Sequence, residues 1–205
     1  MPTAIRSGRR RFAECLILLV LLSPLSLYAE QLQVTLDPAQ TKIEWVLGDV
    51  LHTVHGTFKM RSGAIVFDPK SGAASGTILV DARSGESGNQ SRDKKMQREI
   101  LESQRYPEIT FTPQRVIGNV VPNGNAVVQV QGQFHIHGSD HDLTLSIPVA
   151  IKGDEVKAST SFVVPYESWG MKNPSTFLLR VENKVTVNVS AAGHITTADT
   201  LPATH

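Results

Sequence analysis

The chain has 205 residues and only one cysteine, Cys15. That cysteine lies in an N-terminal segment that we expect to be removed, so the remaining chain has no thiol. A protein without thiols forms no disulfide and has no thiolate for catalysis or metal binding. Its stability must therefore come from a hydrophobic core.

Motifs of covalent catalysis and of nucleotide binding are missing as well. The stretch Ser84-Gly85-Glu86-Ser87-Gly88 lacks the order of a nucleophile elbow, and neither a phosphate loop nor a dinucleotide fingerprint occurs. The net charge is +1, and removing residues 1–29, with four arginines and one glutamate, changes it to −2. A near-neutral chain gives no reason to expect nucleic acid as a partner.

Residues 1–29 have the organisation of a cleaved signal peptide. Four arginines precede an apolar run over residues 15–22, Ser23-Pro24 ends that run, and Ala29 offers a cleavage site before Glu30. The run is too short for a comfortable membrane span, although an uncleaved N-terminal anchor is the alternative. We therefore predict a periplasmic or secreted protein of 176 residues, with no membrane span after processing.

The rest of the chain is dominated by apolar residues at every second position. In residues 127–137, Val128, Val130, Phe134 and Ile136 alternate with glutamines and histidines. A period of two indicates strands with one buried face, because successive side chains leave opposite faces of a sheet. The inward faces carry almost nothing that could do chemistry, which favours binding an apolar molecule over transforming one. Strands are predicted over residues 36–49, 52–59, 64–68, 75–82, 108–116, 125–137, 143–152, 155–165, 177–182 and 184–194.

Residues 91–104 differ, because they are charged and place Met96, Ile100 and Leu101 on one face of a predicted amphipathic helix that ends before Tyr106-Pro107. The helix is either a lid over an open end of the sheet or a crossover that covers core. The composition of residues 68–72 predicts a hairpin turn, and Pro148 predicts an edge or a bulge in its strand.

This many antiparallel strands in one domain leave a sandwich or a barrel, and we predict a barrel of about eight strands with one short helix. The predicted boundaries are residues 1–29 for the signal peptide, 30–195 for the barrel domain and 196–205 for a flexible tail.

Four segments together resemble the YceI family of exported lipid-binding proteins. They are Val54-His55-Gly56-Thr57-Phe58 with the following Ile65-Val66-Phe67-Asp68; Arg92-Asp93 with Tyr106-Pro107-Glu108-Ile109-Thr110-Phe111; residues 130–138; and residues 162–187 with Trp169-Gly170. The resemblance implies an all-β, lipocalin-like antiparallel barrel that holds a polyisoprenoid or another long apolar lipid, without a cofactor and without covalent chemistry. A homodimer is possible, and the sequence does not distinguish it from a monomer.

The candidate binding residues are the inward-facing apolar side chains, each of which also has a simple interpretation as core packing. They are Val54, Phe58, Phe67, Phe111, Phe134, Ile136, Phe162, Trp169 and Leu179. His52 shares the face of Phe58 and is a candidate for contacting a lipid head group. Arg92-Asp93 is expected to form a helix cap and an ion pair, but Arg92, with Lys94 and Lys95 nearby, is also a candidate for attracting an anionic head group.

Two alternatives remain open. Histidines on one strand face can share a metal ion, so His135, His137 and His141 define a rival hypothesis of a metal-dependent hydrolase. The face they share with three glutamines is the predicted solvent side, which argues against this. The second alternative is an interaction protein whose barrel is filled by its own side chains.

Overall fold

Nine antiparallel strands form the sheet in the computed structural model, which describes residues 30–48, 53–176 and 180–198. The strands are β1 (Leu32–Leu36), β2 (Lys42–Gly48), β3 (Thr53–Phe67), β4 (Ala74–Glu86), β5 (Glu108–Ile117), β6 (Asn125–Ile136), β7 (Ser139–Lys152), β8 (Glu155–Val164) and β9 (Val185–Thr197).

The sheet closes on itself into a barrel with eight positions around its circumference. Each strand from β3 to β9 pairs with its neighbours in sequence, and β1 and β2 together fill the gap between β9 and β3. β1 pairs with the second half of β3 and the end of β9, whereas β2 pairs with the start of β3 and the first half of β9. The predicted closed barrel of about eight strands is confirmed.

Several predicted strand boundaries were wrong, most clearly at the opening strand and at β3. The opening strand, predicted over residues 36–49, is interrupted because the Asp37 carboxylate accepts hydrogen bonds from the Ala39 amide at 2.8 Å and the Gln40 side chain at 2.6 Å, which forms a turn. Conversely, the two strands predicted over 52–59 and 64–68 are one strand, β3, whose register with β4 shifts at two irregular points. An extra residue bends a strand without ending it.

The alternation in β6 is confirmed residue by residue. Val128, Val130, Phe134 and Ile136 are buried, and the intervening Gln129 and Gln131 are exposed. The strand ends at Ile136, and β9 continues to Thr197, three residues beyond its predicted end. Of the strand predicted over 177–182, the described residues Arg180, Val181 and Glu182 belong to none of the nine strands.

The helix is shorter than predicted and changes its hydrogen-bonding pattern. α1 (Gln90–Lys95) is followed by a π-helical turn, Met96–Ile100, in which the Leu101 amide donates to the Met96 carbonyl at 2.9 Å. Glu102, with a φ of 44°, ends the helix. In the described parts of the chain, no helix has the length and hydropathy needed to cross a bilayer.

The two ends of the barrel differ in what covers them. We call the end that carries α1, the β6–β7 hairpin and residues 165–184 the helix end; the far end carries the turns after β3, β5 and β7. The β6–β7 turn, His137-Gly138, has positive φ at both residues, as a type I′ turn requires. Tyr106 packs against it: a Cβ on Gly138 would lie 2.5 Å from the tyrosine ring.

The segment after β8 is fastened to the chain before β9 by a buried tyrosine. The Tyr166 hydroxyl donates a short hydrogen bond to the Glu182 carbonyl, and the side chain is only 6% exposed. Burial, followed by the nearby Glu167 and Glu182 carboxylates, raises the pKa of Tyr166 to about 12. The phenol therefore stays protonated in the folded state at pH values where a free tyrosine has ionised.

This shift predicts a loss of stability at alkaline pH. Between pH 10 and about 12 the unfolded chain loses the Tyr166 proton while the folded chain keeps it, so unfolding becomes easier as the pH rises. At neutral pH, Tyr166→Phe should cost about 0.5–1.5 kcal/mol for the lost hydrogen bond, and the gap between the two proteins should narrow above pH 10. Urea unfolding from neutral pH to pH 12 measures both effects. A gap that stays constant through this window would contradict the assignment.

Candidate functional site

The interior of the barrel contains an apolar cavity of about 670 Å³. Its wall includes residues from both ends of the barrel, such as Leu47 and Val54 at the helix end and Leu36 and Val120 at the far end. Among the described residues, only two charged side chains line it, Arg92 and Lys95, and both come from α1. The cavity is therefore an apolar hollow with cationic groups at one end.

Most of the predicted wall residues do line this cavity. Those on its wall are Val54, Phe58, Phe67, Phe111, Phe134, Ile136 and Phe162, together with Arg92. Phe134 and Phe162 meet edge to face, with ring centroids 5.8 Å apart. Of the three remaining candidates, His52 and Leu179 lie outside the described residues.

Trp169 was wrongly predicted as a wall residue. It follows Pro165, where the chain has left β8, and its indole lies outside the cavity. There it stacks on the His141 imidazole, with centroids 3.9 Å apart and planes at 8°, and contacts Phe134 at 5.9 Å. Strand parity does not apply to a residue in a loop, so its position could not be inferred from alternation.

Several wall residues were not among the candidates, although alternation along their strands also places them inside the barrel. Ile43, Trp45 and Leu47 of β2 and the valines of β9 line the cavity on the faces that alternation assigns to the interior. Most of the predicted wall residues are aromatic, whereas alternation applies equally to aliphatic residues. β9 contributes Val185, Val187, Val189 and Ala191.

Gly56, at the centre of the Val54–Phe58 segment, allows the Trp45 indole to lie against the backbone of β3. A Cβ at this position would be 2.2 Å from the Trp45 ring and 2.4 Å from the Glu86 carbonyl oxygen. The indole nitrogen is buried and has no hydrogen-bond partner among the described residues. Trp45 thus contributes apolar surface to the wall.

The helix turns its apolar side chains toward the cavity. Met96, Ile100 and Leu101, the three residues of the predicted stripe, all line the hollow, as expected of a helix that lies across its end. The π-helical turn changes the angular spacing between Met96 and the two residues that follow it. Such turns are rare and frequently occur at functional sites.

The charged residues of α1 have different partners. The N-cap is Asn89, whose side-chain oxygen accepts from the Arg92 amide at 3.0 Å, so the expected cap at Arg92-Asp93 was wrong. The Arg92 guanidinium donates to the Ser87 hydroxyl at 2.7 Å and to the Ser87 carbonyl at 3.0 Å, and Asp93 accepts a short hydrogen bond from the same hydroxyl.

Lys95 is half-buried and takes part in none of the ion pairs of the described residues. Its neighbour Lys94 is exposed and does not line the cavity. The cation at the cavity that is most available to a ligand is therefore Lys95.

The three histidines of the metal hypothesis each have a separate partner. His135 Nδ1 lies 2.7 Å from Asp140, and His137 Nε2 lies 3.3 Å from Glu102. His137 is in the β6–β7 turn, so it does not continue the strand face of His135 as predicted. His141 is stacked on Trp169, and burial lowers its pKa. Among the described residues, no group of three His, Cys, Asp or Glu side chains is arranged to hold a metal ion.

Comparison with known proteins places this barrel among others of the same architecture. The solved structure of Burkholderia cenocepacia BcnA superposes with a TM-score of 0.62 at 17% identity, covering 77% of this chain and 98% of that one. A polyisoprenoid binding domain from Saccharophagus degradans gives 0.64 at 13% identity, covering 78% and 97%. The Campylobacter jejuni YceI protein gives 0.56 at 20%, covering 70% and 86%. At these identities the likeness shows the fold.

A comparison with curated protein sequences found no match. The family profile described as the YceI-like domain, however, matches residues 34–192, which include all but the first two residues of β1 and the last five of β9. The chain belongs to the YceI-like family.

Proposed function

We propose that this protein holds a polyisoprenoid or a similar long apolar lipid inside its barrel, for transport, storage or sequestration, and does no covalent chemistry on it. The observation that carries the proposal is the 670 Å³ apolar cavity that extends between the two ends of the barrel. Pockets for small-molecule ligands have volumes of about 300–1,000 Å³ and mostly apolar walls. A barrel filled by its own side chains would leave no such volume.

An apolar wall suffices to retain such a ligand. Each methylene group removed from water contributes about 0.8 kcal/mol, so ten enclosed groups contribute roughly 8 kcal/mol before the costs of binding. Ordering a flexible chain offsets part of this gain. The cavity therefore needs no charged contact to bind the hydrocarbon portion of a lipid.

The relatives support the same ligand class. The Saccharophagus degradans structure is that of a polyisoprenoid binding domain, and it shares this fold over most of both chains. We extend that ligand class to this protein because the cavity has the matching chemistry. We also propose export to the periplasm or the medium, which rests on the sequence of residues 1–29 alone.

The direct test of the proposal is to identify what the native protein carries. The chain, purified without denaturation from cells that produce it, is extracted with organic solvent, and the extract is analysed by mass spectrometry. We expect a long apolar lipid, present in proportion to the protein and absent from an extract of the unfolded, washed chain. Recovery of a polar metabolite in its place would overturn the proposal.

Filling the cavity should weaken binding without weakening the fold. Val80 is half-buried and lines the hollow, so the larger ring of Val80→Phe projects into empty volume. We expect the Kd for a fluorescently labelled farnesol to rise about tenfold, the equivalent of ~1.4 kcal/mol. The matched control is Thr77→Phe, which adds the same ring to an exposed position of β4. Equal affinity of the two variants would contradict binding inside the barrel.

We also propose that Lys95 binds the head group when that group is anionic. Lys95→Gln should then weaken the binding of farnesyl diphosphate by about tenfold and leave the binding of farnesol unchanged, because a charge-assisted contact is worth more than about 1 kcal/mol in a partly buried site. Lys94→Gln removes the same charge one residue away, outside the cavity, and should affect neither ligand. An equal effect of both variants would indicate general attraction by the charge of α1.

A further inference from the structure

The wall of the barrel is incomplete between β7 and β8. These strands pair only from Val149↔Ala158 to Lys152↔Glu155, although β7 is paired with β6 from Ser139 to Ala150 and β8 is paired with β9 along its whole length. The ladder therefore stops after four residue pairs. We call the remaining interval, between residues 143–148 of β7 and 159–164 of β8, the seam.

Pro148 explains where the ladder stops. Lys152 and Glu155 flank a two-residue turn and form a hydrogen-bonded pair, so even-numbered residues of β7 direct their amides toward β8. Consistent with this parity, the amide of Ile151 points the other way and donates to the Gly124 carbonyl at 2.9 Å. The next even position is Pro148, which has no amide hydrogen and cannot continue the ladder.

A side chain replaces the missing backbone contacts. The Thr160 hydroxyl donates to the Ser146 carbonyl at 3.1 Å, across the seam. At the helix end of the seam, Trp169 stacks on His141 of β7. The seam thus extends from the end of the ladder at Pro148 to the stacked rings of Trp169 and His141.

The internal cavity extends into the seam. Ser159 and Thr160 are neighbours on β8 and point to opposite faces of a regular strand, yet both line the cavity. Ser159 is exposed on the outside of the barrel. The hollow therefore reaches the outer surface at this point.

A groove on the outer surface meets the cavity there. The groove and the cavity share four lining residues: Ser159 of the seam, Val149 and Ala158, which form the last pair of the ladder beside it, and Ala191 of β9. The groove is otherwise lined largely by small or apolar groups, among them Pro148 and Val127, which is 63% exposed. Four short side chains thus separate an apolar outer surface from the apolar interior.

We propose that the seam is a side portal through which the hydrocarbon tail of the ligand enters and leaves the barrel. This inference rests on the proposed function, because it assumes that the cavity holds a lipid. A tail lying in the outer groove contacts apolar surface before it enters, and it moves sideways between β7 and β8. The Thr160–Ser146 hydrogen bond crosses its path and breaks for each passage.

Restoring the missing amide tests the portal. Pro148→Val supplies a donor at the position where the ladder stops and keeps the outer surface apolar. Hydrogen exchange at residue 148 and at Ser161, whose amide is the next on β8 to face β7, reports whether the ladder has grown. With a longer ladder, uptake and release of the labelled farnesol should each slow about tenfold, because extra backbone hydrogen bonds must break for each passage. Equal slowing in both directions leaves the Kd unchanged. Unchanged rates in a protein whose ladder has grown would overturn the portal.

A second variant decides the matter if the ladder does not grow. In a chain in which Cys15 is replaced by serine, Ser159→Cys is labelled with a bulky maleimide, which places the label on the seam. We expect slower uptake and release. The control is Ser75→Cys, an exposed position on β4 that borders neither the cavity nor the groove and should show wild-type rates.

Labelling Ser91→Cys obstructs the helix end, because Ser91 is an exposed residue of α1 that lines the cavity. If this label slows exchange and the Ser159 label does not, the lipid passes through the helix end and the portal is refuted. The unlabelled parent chain separates this outcome from a failure of the proposed function: a parent that binds no farnesol refutes the function itself.

Discussion

Closure of an antiparallel sheet in which apolar residues recur at every second position is the constraint on which the rest of this structure depends. In a closed sheet all inward-facing positions meet around one axis, so alternation along each strand produces an apolar interior. Eight positions around the circumference leave an interior wide enough for side chains or for one ligand. Here branched aliphatic residues, such as the valines of β9, leave part of that space empty.

The sequence predicted the strands best where each inward position is apolar and each outward one polar. β6 is the clearest case, because Val128, Val130, Phe134 and Ile136 alternate with glutamines and the structure follows that order. The prediction failed where local hydrogen bonds or bulges determine the start or the end of a strand. The Asp37 carboxylate interrupts the first strand, and two register shifts in β3 remove the break expected before Ala64. Alternation contains no information about either feature.

The same distinction applies to the cavity. Phe58, Phe111 and Phe162 were predicted from parity and lie on its wall, whereas Trp169 lies in a loop where parity has no meaning. The role of Pro148 was partly predictable, because a residue without an amide marks an edge or a bulge. The sequence does not show that Pro148 interrupts the pairing with β8 rather than with β6, because this depends on the register set by the turn at Gly153-Asp154. It also does not show that the cavity reaches the surface there.

Because β1 and β2 share one position of the barrel, different strands connect β3 to β9 at its two ends. Five residues, Leu32–Leu36, join β3 to β9 at the far end, while Lys42–Gly48 does the same at the helix end. A short strand detaches at a smaller free-energy cost than a long one, and local opening proceeds in such units. Fraying of β1 would therefore loosen the far end of the barrel and leave the helix end intact, so that the two ends belong to different cooperative units of unfolding.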